Sequence, residues 1–292
     1  MSILPVLNIN QFDFSEISGS LYANIFSDHL RTYHASITKP HKHDFYLVVL
    51  FLQGSGTHEV DFTAYPIKPG SIFLLRPGQT HHWELSADID GYIFFHTGEF
   101  YNLLFPNKRI DDYPAFFTNY NSPYIQLSEG EIETYTARFK MIYEEYSDDL
   151  WLKEQRMALL IDLTYIDLAR LYTAENESFK NPEVKNMVWL SKLEGLVDKY
   201  YIEKKHPTDY ATALNISVKH LNKIVMNTLG KTTSDLIHDR ILLEAKRMLT
   251  HGQSSVQEIA FELGYEDPSY FSRFFKKKVG VVPSEFAEKY IT

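Results

Sequence analysis

The sequence predicts a two-domain α+β protein: a β-rich N-terminal domain that ends in a pair of helices, followed by an all-α C-terminal domain. Short apolar runs separated by turn residues fill residues 20–96, a pattern typical of a β-sandwich or a small barrel. From residue 129 onward the apolar residues recur with helical spacing. A length of 292 residues also corresponds to about two domains, each able to bury its own core.

The strands are predicted from apolar runs that stop at glycine and proline. Turn residues are found at Gly54-Ser55-Gly56, Pro69-Gly70 and Pro77-Gly78. The runs that we expect to be strands are Leu21–Phe26, Phe45–Leu52, Thr57–Phe62, Ser71–Leu75, His81–Leu85 and Tyr92–Phe95.

Two helices are expected to complete this domain, at Glu129–Tyr146 and Trp151–Tyr172. The second is apolar over much of its surface, and such a helix needs two neighbours, which we expect to be its own barrel and a second subunit. Residues 176–186 are polar and contain Pro182, which predicts a linker. The predicted domains are therefore residues 1–175, a dimerisation domain, and residues 187–292.

Composition narrows the possible locations and chemistries. The longest apolar run, Phe45–Leu52, is far shorter than the ~20 residues of a membrane span. No Lys or Arg precedes Arg31, so the basic start of a signal peptide is missing, and we expect a cytoplasmic protein with no membrane partner. The lack of cysteine excludes disulfides and thiolate nucleophiles. Motifs of nucleotide-binding loops and zinc hydrolases are also missing, so no enzyme activity is expected.

Charge is distributed unevenly along the chain. The net charge is −9, yet residues 191–292 hold 15 Lys and Arg against 13 Asp and Glu, whereas residues 1–190 hold 14 against 25. Arg273 and Lys276 to Lys278 fall in one short segment, which provides a local positive field suited to a phosphate backbone. A solvated helix face is the alternative interpretation of this segment.

The C-terminal third contains an internal repeat of a helix, a turn and a second helix. The first helices carry matching residues 49 positions apart: Ala211, Leu214, Asn215 and Ile216, then Ala260, Leu263, Gly264 and Tyr265. The second helices carry matching apolar seams fifty positions apart: Leu221, Ile224 and Val225, then Phe271, Phe274 and Phe275. A repeat of this kind predicts two helix-turn-helix units.

The turn chemistry is the same in both copies. Asn215 and Gly264 tolerate the left-handed conformation that ends a helix, and Ser217 and Asp267 can cap the next one. The helix predicted between the copies, Ser234–Thr250, is about 26 Å long. It could hold two recognition helices about one turn of DNA apart, ~34 Å, so that both enter successive major grooves. A plain helical bundle is the alternative.

The residues of the second copy resemble a known family. Ala260 to Phe286, with the segments Ala-Phe-Glu-Leu-Gly-Tyr, Ser-Tyr-Phe-Ser-Arg-Phe-Phe-Lys and Gly-Val-Val-Pro-Ser-Glu-Phe, is similar to the second helix-turn-helix of AraC/XylS-type transcription regulators. Residues 208–230 are similar to the first. Two positions depart from the family: Val282 replaces a usual Ser or Thr, and Ala287 replaces a frequent basic residue, which removes one phosphate contact.

The resemblance implies a set of DNA-binding residues and partners. Arg273 is the expected guanine contact, because a guanidinium can bond O6 and N7 together. Other positions on the two recognition helices are Lys219, Asn222, Lys223, Ser269 and Ser272, and those expected at phosphates are His220, Lys276 and Lys277. The implied partners are double-stranded DNA at a promoter or operator, RNA polymerase and a small-molecule effector.

Histidines in the N-terminal domain resemble two cupin signatures. His41-Lys42-His43 and Pro77-Gly78-Gln79-Thr80-His81 match them, but Leu47 stands where enzymatic cupins have a metal-binding Glu. Strand alternation places His41 and His43 on one face. Three interpretations stay open: an effector pocket without metal or cofactor, which we favour; a three-histidine metal site; and buried core histidines.

Comparison with sugar-sensing members of the family points to further pocket residues. Lys39-Pro40 falls where an arabinose-binding relative has an Arg-Pro at the sugar, and Trp83 and Tyr92 fall where it has aromatic rings. A flat ring suits the C–H face of a sugar, and a cation with imidazoles suits its hydroxyls. The effector-binding residues implied are Lys39, His41, His43, His81, Trp83 and Tyr92. Two other functions stay open for the whole chain: a metal-dependent cupin enzyme with a helical appendage, and a regulator whose barrel binds no ligand and serves only assembly.

Overall fold

The computed structural model describes residues 6–12, 20–34, 40–117, 122–175, 184–250 and 254–291. The chain divides into two compact units, residues 4–176 and residues 177–292. In the part of the chain that is described, no helix is long and apolar enough to cross a membrane. A β-rich N-terminal unit followed by a helical C-terminal unit confirms the predicted fold class.

In its described residues the N-terminal unit contains two five-stranded sheets. The strands are β1 Val6–Leu7, β2 Leu21–Ile25, β3 His41–His43, β4 Tyr46–Gln53, β5 Gly56–Val60, β6 Thr63–Ile67, β7 Ser71–Leu75, β8 Thr80–Leu85, β9 Asp90–His96 and β10 Tyr124–Gln126. One sheet has the order β1-β3-β8-β5-β6 and the other β10-β7-β4-β9-β2. All neighbours pair antiparallel except β1 and β3.

Two predicted strands end earlier than expected. The run Leu21–Phe26 stops at Ile25, because Phe26 begins a short helix. The run Thr57–Phe62 stops at Val60, since Asp61 and Phe62 form a two-residue hairpin with positive φ at both positions, 45° and 68°. That is the dihedral pattern of a type I′ turn.

The inner faces of the two sheets meet in one core rich in aromatic rings. Alternate residues of β4 enter it, namely Leu47, Val49 and Phe51, together with Ile93 and Phe95 of β9. The other face of β9 is also buried, because helices cover it. Phe94 lies 5.4 Å from Phe139, ring centre to ring centre. Burial on both faces accounts for the continuous apolar run in β4.

Five α-helices lie in the described residues of this unit: α1 Phe26–His29, which continues as a π turn over Leu30–His34, α2 Gly98–Leu104, α3 Pro114–Phe117, α4 Glu129–Ser147 and α5 Lys153–Glu175. The last two are the predicted helical pair. A buried polar network fixes α5 near α2: Asp162 accepts hydrogen bonds from Tyr101 and Tyr113 at 2.6 and 2.5 Å and pairs with Lys108 at 2.7 Å.

The C-terminal unit is entirely helical in its described residues. Its helices are α6 Val184–Tyr200, α7 Pro207–Ala213, α8 Val218–Leu229, α9 Thr233–Thr250, α10 Val256–Glu262, α11 Pro268–Val279 and α12 Pro283–Ile291. Of the predicted linker 176–186, residues 176–183 lie outside the described residues, and α6 starts at Val184. The domain boundaries stay a prediction.

The repeat forms two helix-turn-helix units, α7–α8 and α10–α11, with α9 between them in the chain. The turns have the expected geometry, since φ is 55° at Asn215 and 72° at Gly264. Ser217 accepts the N–H of His220, and Asp267 accepts the N–H of Ser269, so both caps are confirmed. Helix α9 has 18 residues and is therefore about 27 Å long.

Candidate functional site

Each recognition helix has one buried and one exposed face. On α8, Leu221, Ile224 and Val225 are buried, and on α11, Phe271 and Phe275 are buried. The expected DNA-binding residues that lie exposed on these helices are Lys219, His220, Lys223, Ser269, Arg273, Lys276 and Lys277. Their charged groups are therefore accessible to a duplex.

Two expected base contacts are engaged in holding the fold. The side-chain oxygen of Asn222 accepts the N–H of Thr233 at 3.1 Å and so caps α9. The hydroxyl of Ser272 donates to the carbonyl of Pro268 at 2.9 Å. Both side chains are half-buried. A short polar side chain beside an apolar seam commonly bonds the backbone next to it. That these two residues contact base edges or phosphates stays a prediction.

Arg273 is held toward the start of its own helix. Its Nη2 lies 3.6 Å from Oδ2 of Asp267, and Oδ1 of the same carboxylate accepts the N–H of Ser269 at 2.8 Å. The Arg273 side chain is 71% exposed. Asp267 was predicted as a cap, but its contact with Arg273 was not, because the two residues lie six positions apart.

The three lysines at the end of α11 differ in their surroundings. Lys278 donates to Asp235 on α9 at 2.8 Å, and this hydrogen bond is the main reason that the pKa of Asp235 falls to about 2. Lys276 and Lys277 are exposed. Lys278 therefore ties α11 to α9, whereas its two neighbours remain available to phosphates.

The turn of the second unit is fixed by Lys205, which precedes α7. Its ammonium group donates to the carbonyl of Gly264 at 2.9 Å and also to that of Ile202. At Gly264 an added Cβ would lie 2.6 Å from the carbonyl oxygen of Ile202. Both the positive φ and this close approach require glycine.

A histidine cluster lies inside the N-terminal unit. His41 and His43 come from β3, and His81 comes from the neighbouring β8, where it pairs with His41 in register. One nitrogen from each ring lies within 4.8 Å of the others. Nε2 of His43 and Nε2 of His81 are 3.2 Å apart. All three side chains are almost fully buried, with at most 3% exposed.

A fourth histidine contacts the cluster from the neighbouring strand β5. Nε2 of His58 on β5 lies 3.0 Å from Nδ1 of His81. Burial lowers the pKa of His58 well below its usual value, so its ring is neutral at physiological pH. The sequence analysis did not identify His58. Val60 pairs with His81 across β5 and β8, and His58 lies two residues before Val60, on the same face of β5.

The other expected effector residues are placed differently. Trp83 lies beside the cluster, with its ring centre 4.8 Å from that of His81. Tyr92 does not, because it alternates with the core residue Ile93 and faces α4, where its ring lies 6.1 Å from Tyr143. Lys39 lies outside the described residues. The cluster thus joins four of the six expected residues.

Known families match both the N-terminal and the C-terminal part of the chain. Residues 29–160 match the model of an AraC-like ligand binding domain, and residues 210–289 match a helix-turn-helix domain model. The transcriptional regulator YfiF of Bacillus subtilis is 24% identical over 86% of this chain and 79% of its own length. The transcriptional activator RhaR of Yersinia pseudotuberculosis is 21% identical over 86% of this chain and 85% of its own length.

Among solved structures, ToxT of Vibrio cholerae aligns with 94% of this chain and 100% of its own, at 15% identity and a TM-score of 0.44. The two family models together account for most of the chain, in the order that the sequence predicted. The protein therefore belongs to the AraC family of DNA-binding transcription regulators, with an N-terminal AraC-like ligand-binding domain and a C-terminal helix-turn-helix domain.

Proposed function

We propose that α8 and α11 enter two successive major grooves and that Arg273 makes the guanine contact. The exposed cationic faces of both helices carry this proposal, because the basic side chains assigned to DNA are all exposed to solvent. Lys219 and Lys223 serve the first half-site, while His220, Lys276 and Lys277 contact phosphates. Phosphate contacts position the protein, and the base contact discriminates.

Selection of bound duplexes from a random library by the full chain tests this assignment. Two conserved blocks about 10 base pairs apart are expected, since that spacing places both helices on one side of the DNA. A guanine in the block assigned to α11 is expected to disappear from the motif selected by Arg273→Ala. A single conserved block, or a motif unchanged by that substitution, would contradict the assignment.

The effector is proposed to bind at the histidine cluster. Neutral imidazoles can donate to and accept from hydroxyl groups, and the Trp83 ring beside His81 suits the C–H face of a sugar or other polyol. Tyr92 faces α4 and Lys39 lies outside the described residues, so the choice of a sugar rests here on the histidines and Trp83, and the role of Lys39 stays a prediction. A thermal-shift screen of sugars and small acids tests it, because a ligand at 100 times its Kd adds about 2.7 kcal/mol. A shift that persists in Trp83→Ala would contradict the proposed site.

A homodimer is proposed through α5. Leu159 and Leu163 stand on one side of this helix with 61% and 45% of their surface exposed, and Trp151 just before it is 91% exposed. A two-fold axis between the two leucines would make the helices antiparallel. That arrangement brings Trp151 of one chain near Arg170 of the other, whereas a parallel pair would place each Arg170 beside its own copy.

Sedimentation of the double variant Leu159→Glu and Leu163→Glu measures this interface. The variant is expected to be monomeric, whereas Leu103→Glu, a change at a leucine of α2 that is 80% exposed, is expected to leave the dimer intact. A monomeric wild type would contradict the proposal. Contact with RNA polymerase remains a further prediction, which transcription from a bound promoter with the purified polymerase would measure.

A further inference from the structure

The histidine trio has the spacing of metal ligands. A tetrahedral zinc ion with Zn–N distances of 2.0–2.1 Å separates two ligating nitrogens by about 3.3 Å. Nε2 of His43 and Nε2 of His81 are already 3.2 Å apart. Each of the three rings also offers one nitrogen that lies within 4.8 Å of a nitrogen of the other two. The donor atoms present therefore fit a metal ion.

His58 holds one of these donors in a ligating orientation. Its Nε2 lies 3.0 Å from Nδ1 of His81, so Nδ1 of His81 can donate to it while Nε2 of His81 keeps its lone pair toward His43. The His58 ring is itself immobilised, since it is fully buried and packs 4.4 Å from Phe73 and 5.3 Å from Trp83, centre to centre. Metal-binding histidines are commonly oriented by such a second hydrogen bond.

The chemistry of the donors selects the ion. The group consists of three imidazoles, and Leu47 is buried in the apolar core. Imidazole nitrogen suits Zn²⁺, Cu²⁺, Ni²⁺ and Fe²⁺, whereas Mg²⁺ and Ca²⁺ require oxygen ligands. Three protein ligands also leave a fourth coordination position open.

We propose that His41, His43 and His81 bind one divalent transition-metal ion per chain and that His58 is the positioning residue that orients His81 toward it. The proposal rests on the proposed function in that it assigns a metal to the effector cluster. Without a metal, the 3.2 Å contact would be only a hydrogen bond between two core histidines, and the two cases differ in what the purified protein binds.

Zinc titration of the full chain, after removal of metal with a chelator, tests the proposal, with Co²⁺ absorption as a second readout. One Zn²⁺ per chain is expected, together with the visible bands of four-coordinate Co²⁺, and no binding of Mg²⁺. His81→Gln should abolish both signals. His43→Cys should retain binding and add a sulfur-to-cobalt charge-transfer band, which a variant that had lost its fold would not show.

His58→Gln tests the positioning role. The variant should still bind one Zn²⁺, but 10- to 100-fold more weakly. The control is His82→Gln, because His82 follows His81 on β8 and its side chain points to the opposite face. The His82→Gln variant should bind Zn²⁺ with the affinity of the wild type. An unchanged affinity in His58→Gln would overturn the positioning role. A wild type that binds no Zn²⁺, or a His81→Gln protein that binds it equally well, would overturn the metal site.

The two proposals fail separately. If the wild type binds no metal but a sugar still raises its melting temperature, the metal site is overturned and the effector site stands. If Zn²⁺ binds as described but no compound of the screen shifts the melting temperature, the metal site is supported and the sugar assignment fails.

Discussion

Nη2 of Arg273 lies 3.6 Å from Oδ2 of Asp267, the carboxylate that caps the same helix through its other oxygen. Both side chains are largely exposed, so the pair contributes less than about 1 kcal/mol. Asp267 therefore competes only weakly with DNA for the guanidinium. Arg273 can exchange this weak contact for a bidentate contact with guanine.

Arg273→Ala should remove discrimination at one base pair. Loss of a bidentate guanine contact is expected to weaken binding to the selected site by about 1–3 kcal/mol, while binding to unrelated duplexes changes much less. Competition titrations with single-base variants of the site measure this. The matched control is Asp267→Asn, which keeps the helix cap and should keep the base preference. An equal loss on every sequence would leave Arg273 only a backbone contact.

Lys276→Gln and Lys277→Gln should weaken binding to all sequences alike. Each lost phosphate contact is expected to reduce the slope of log K against log salt by about one, because fewer counterions are released. Titration of one duplex at several salt concentrations gives that slope. Lys278→Gln is the control: it breaks the pair with Asp235 and should lower stability while leaving the slope nearly unchanged. Identical slopes for all four proteins would contradict this division of roles.

Gly264→Ala should destabilise the C-terminal unit more than Gly280→Ala does. Both glycines have positive φ, 72° and 93°, and an alanine in that region costs about 1–2 kcal/mol. Only at Gly264 would the new Cβ also meet backbone, 2.6 Å from the Ile202 oxygen; at Gly280 nothing lies within 4 Å among the described residues. The difference between the two variants in free energy of unfolding, measured with denaturant, gives the cost of the steric clash at Gly264. Equal losses of free energy in both variants would show that the turn can shift to relieve the clash.

His96 should make the N-terminal unit sensitive to mild acid. Its Nδ1 donates to the Thr97 carbonyl at 2.8 Å, and its Nε2 accepts from Tyr165 at 2.8 Å, so the folded ring is neutral. Burial lowers its pKa to about 4, against 6.5 for the unfolded chain. Between pH 6.5 and pH 4 the unfolded state therefore binds a proton that the folded state does not bind. The free energy of unfolding falls by about 3 kcal/mol as the pH drops from above 6.5 toward 4.

Urea unfolding of wild type and His96→Gln between pH 7 and pH 4.5 measures this contribution. The variant should be less stable at pH 7 but should lose less stability on acidification, and comparison within the pair cancels the titration of other histidines. Parallel pH profiles would show that His96 does not carry this dependence.

Sequence reasoning succeeded where one residue type has a local physical role. Asn215 and Gly264 were placed in left-handed turns because few residues accept positive φ, and Ser217 and Asp267 were placed as caps because their oxygens reach nearby N–H groups. It also brought His41 and His43 to one face by strand alternation. In each case the controlling contacts lie within a few residues.

Contacts between residues that are distant in the sequence could not be predicted in this way. His58 joins the cluster only because β5 and β8 pair in a register that no local pattern specifies. Asn222 caps α9 from the preceding helix, and Tyr92 faces α4 because its neighbour Ile93 takes the core. Strand β6 escaped prediction since Pro66 lies within it, which is tolerated there because β6 is at the edge of its sheet.

Hydroxyl-radical footprinting of the full chain on its selected site tests the central claim, that two recognition helices bind one side of a duplex. Two protected segments about 10 base pairs apart are expected, with one lost in a Lys219→Ala, Lys223→Ala double variant and the other lost in a Lys276→Gln, Lys277→Gln double variant. One continuous or single protected segment, or protection that neither variant changes, would contradict it.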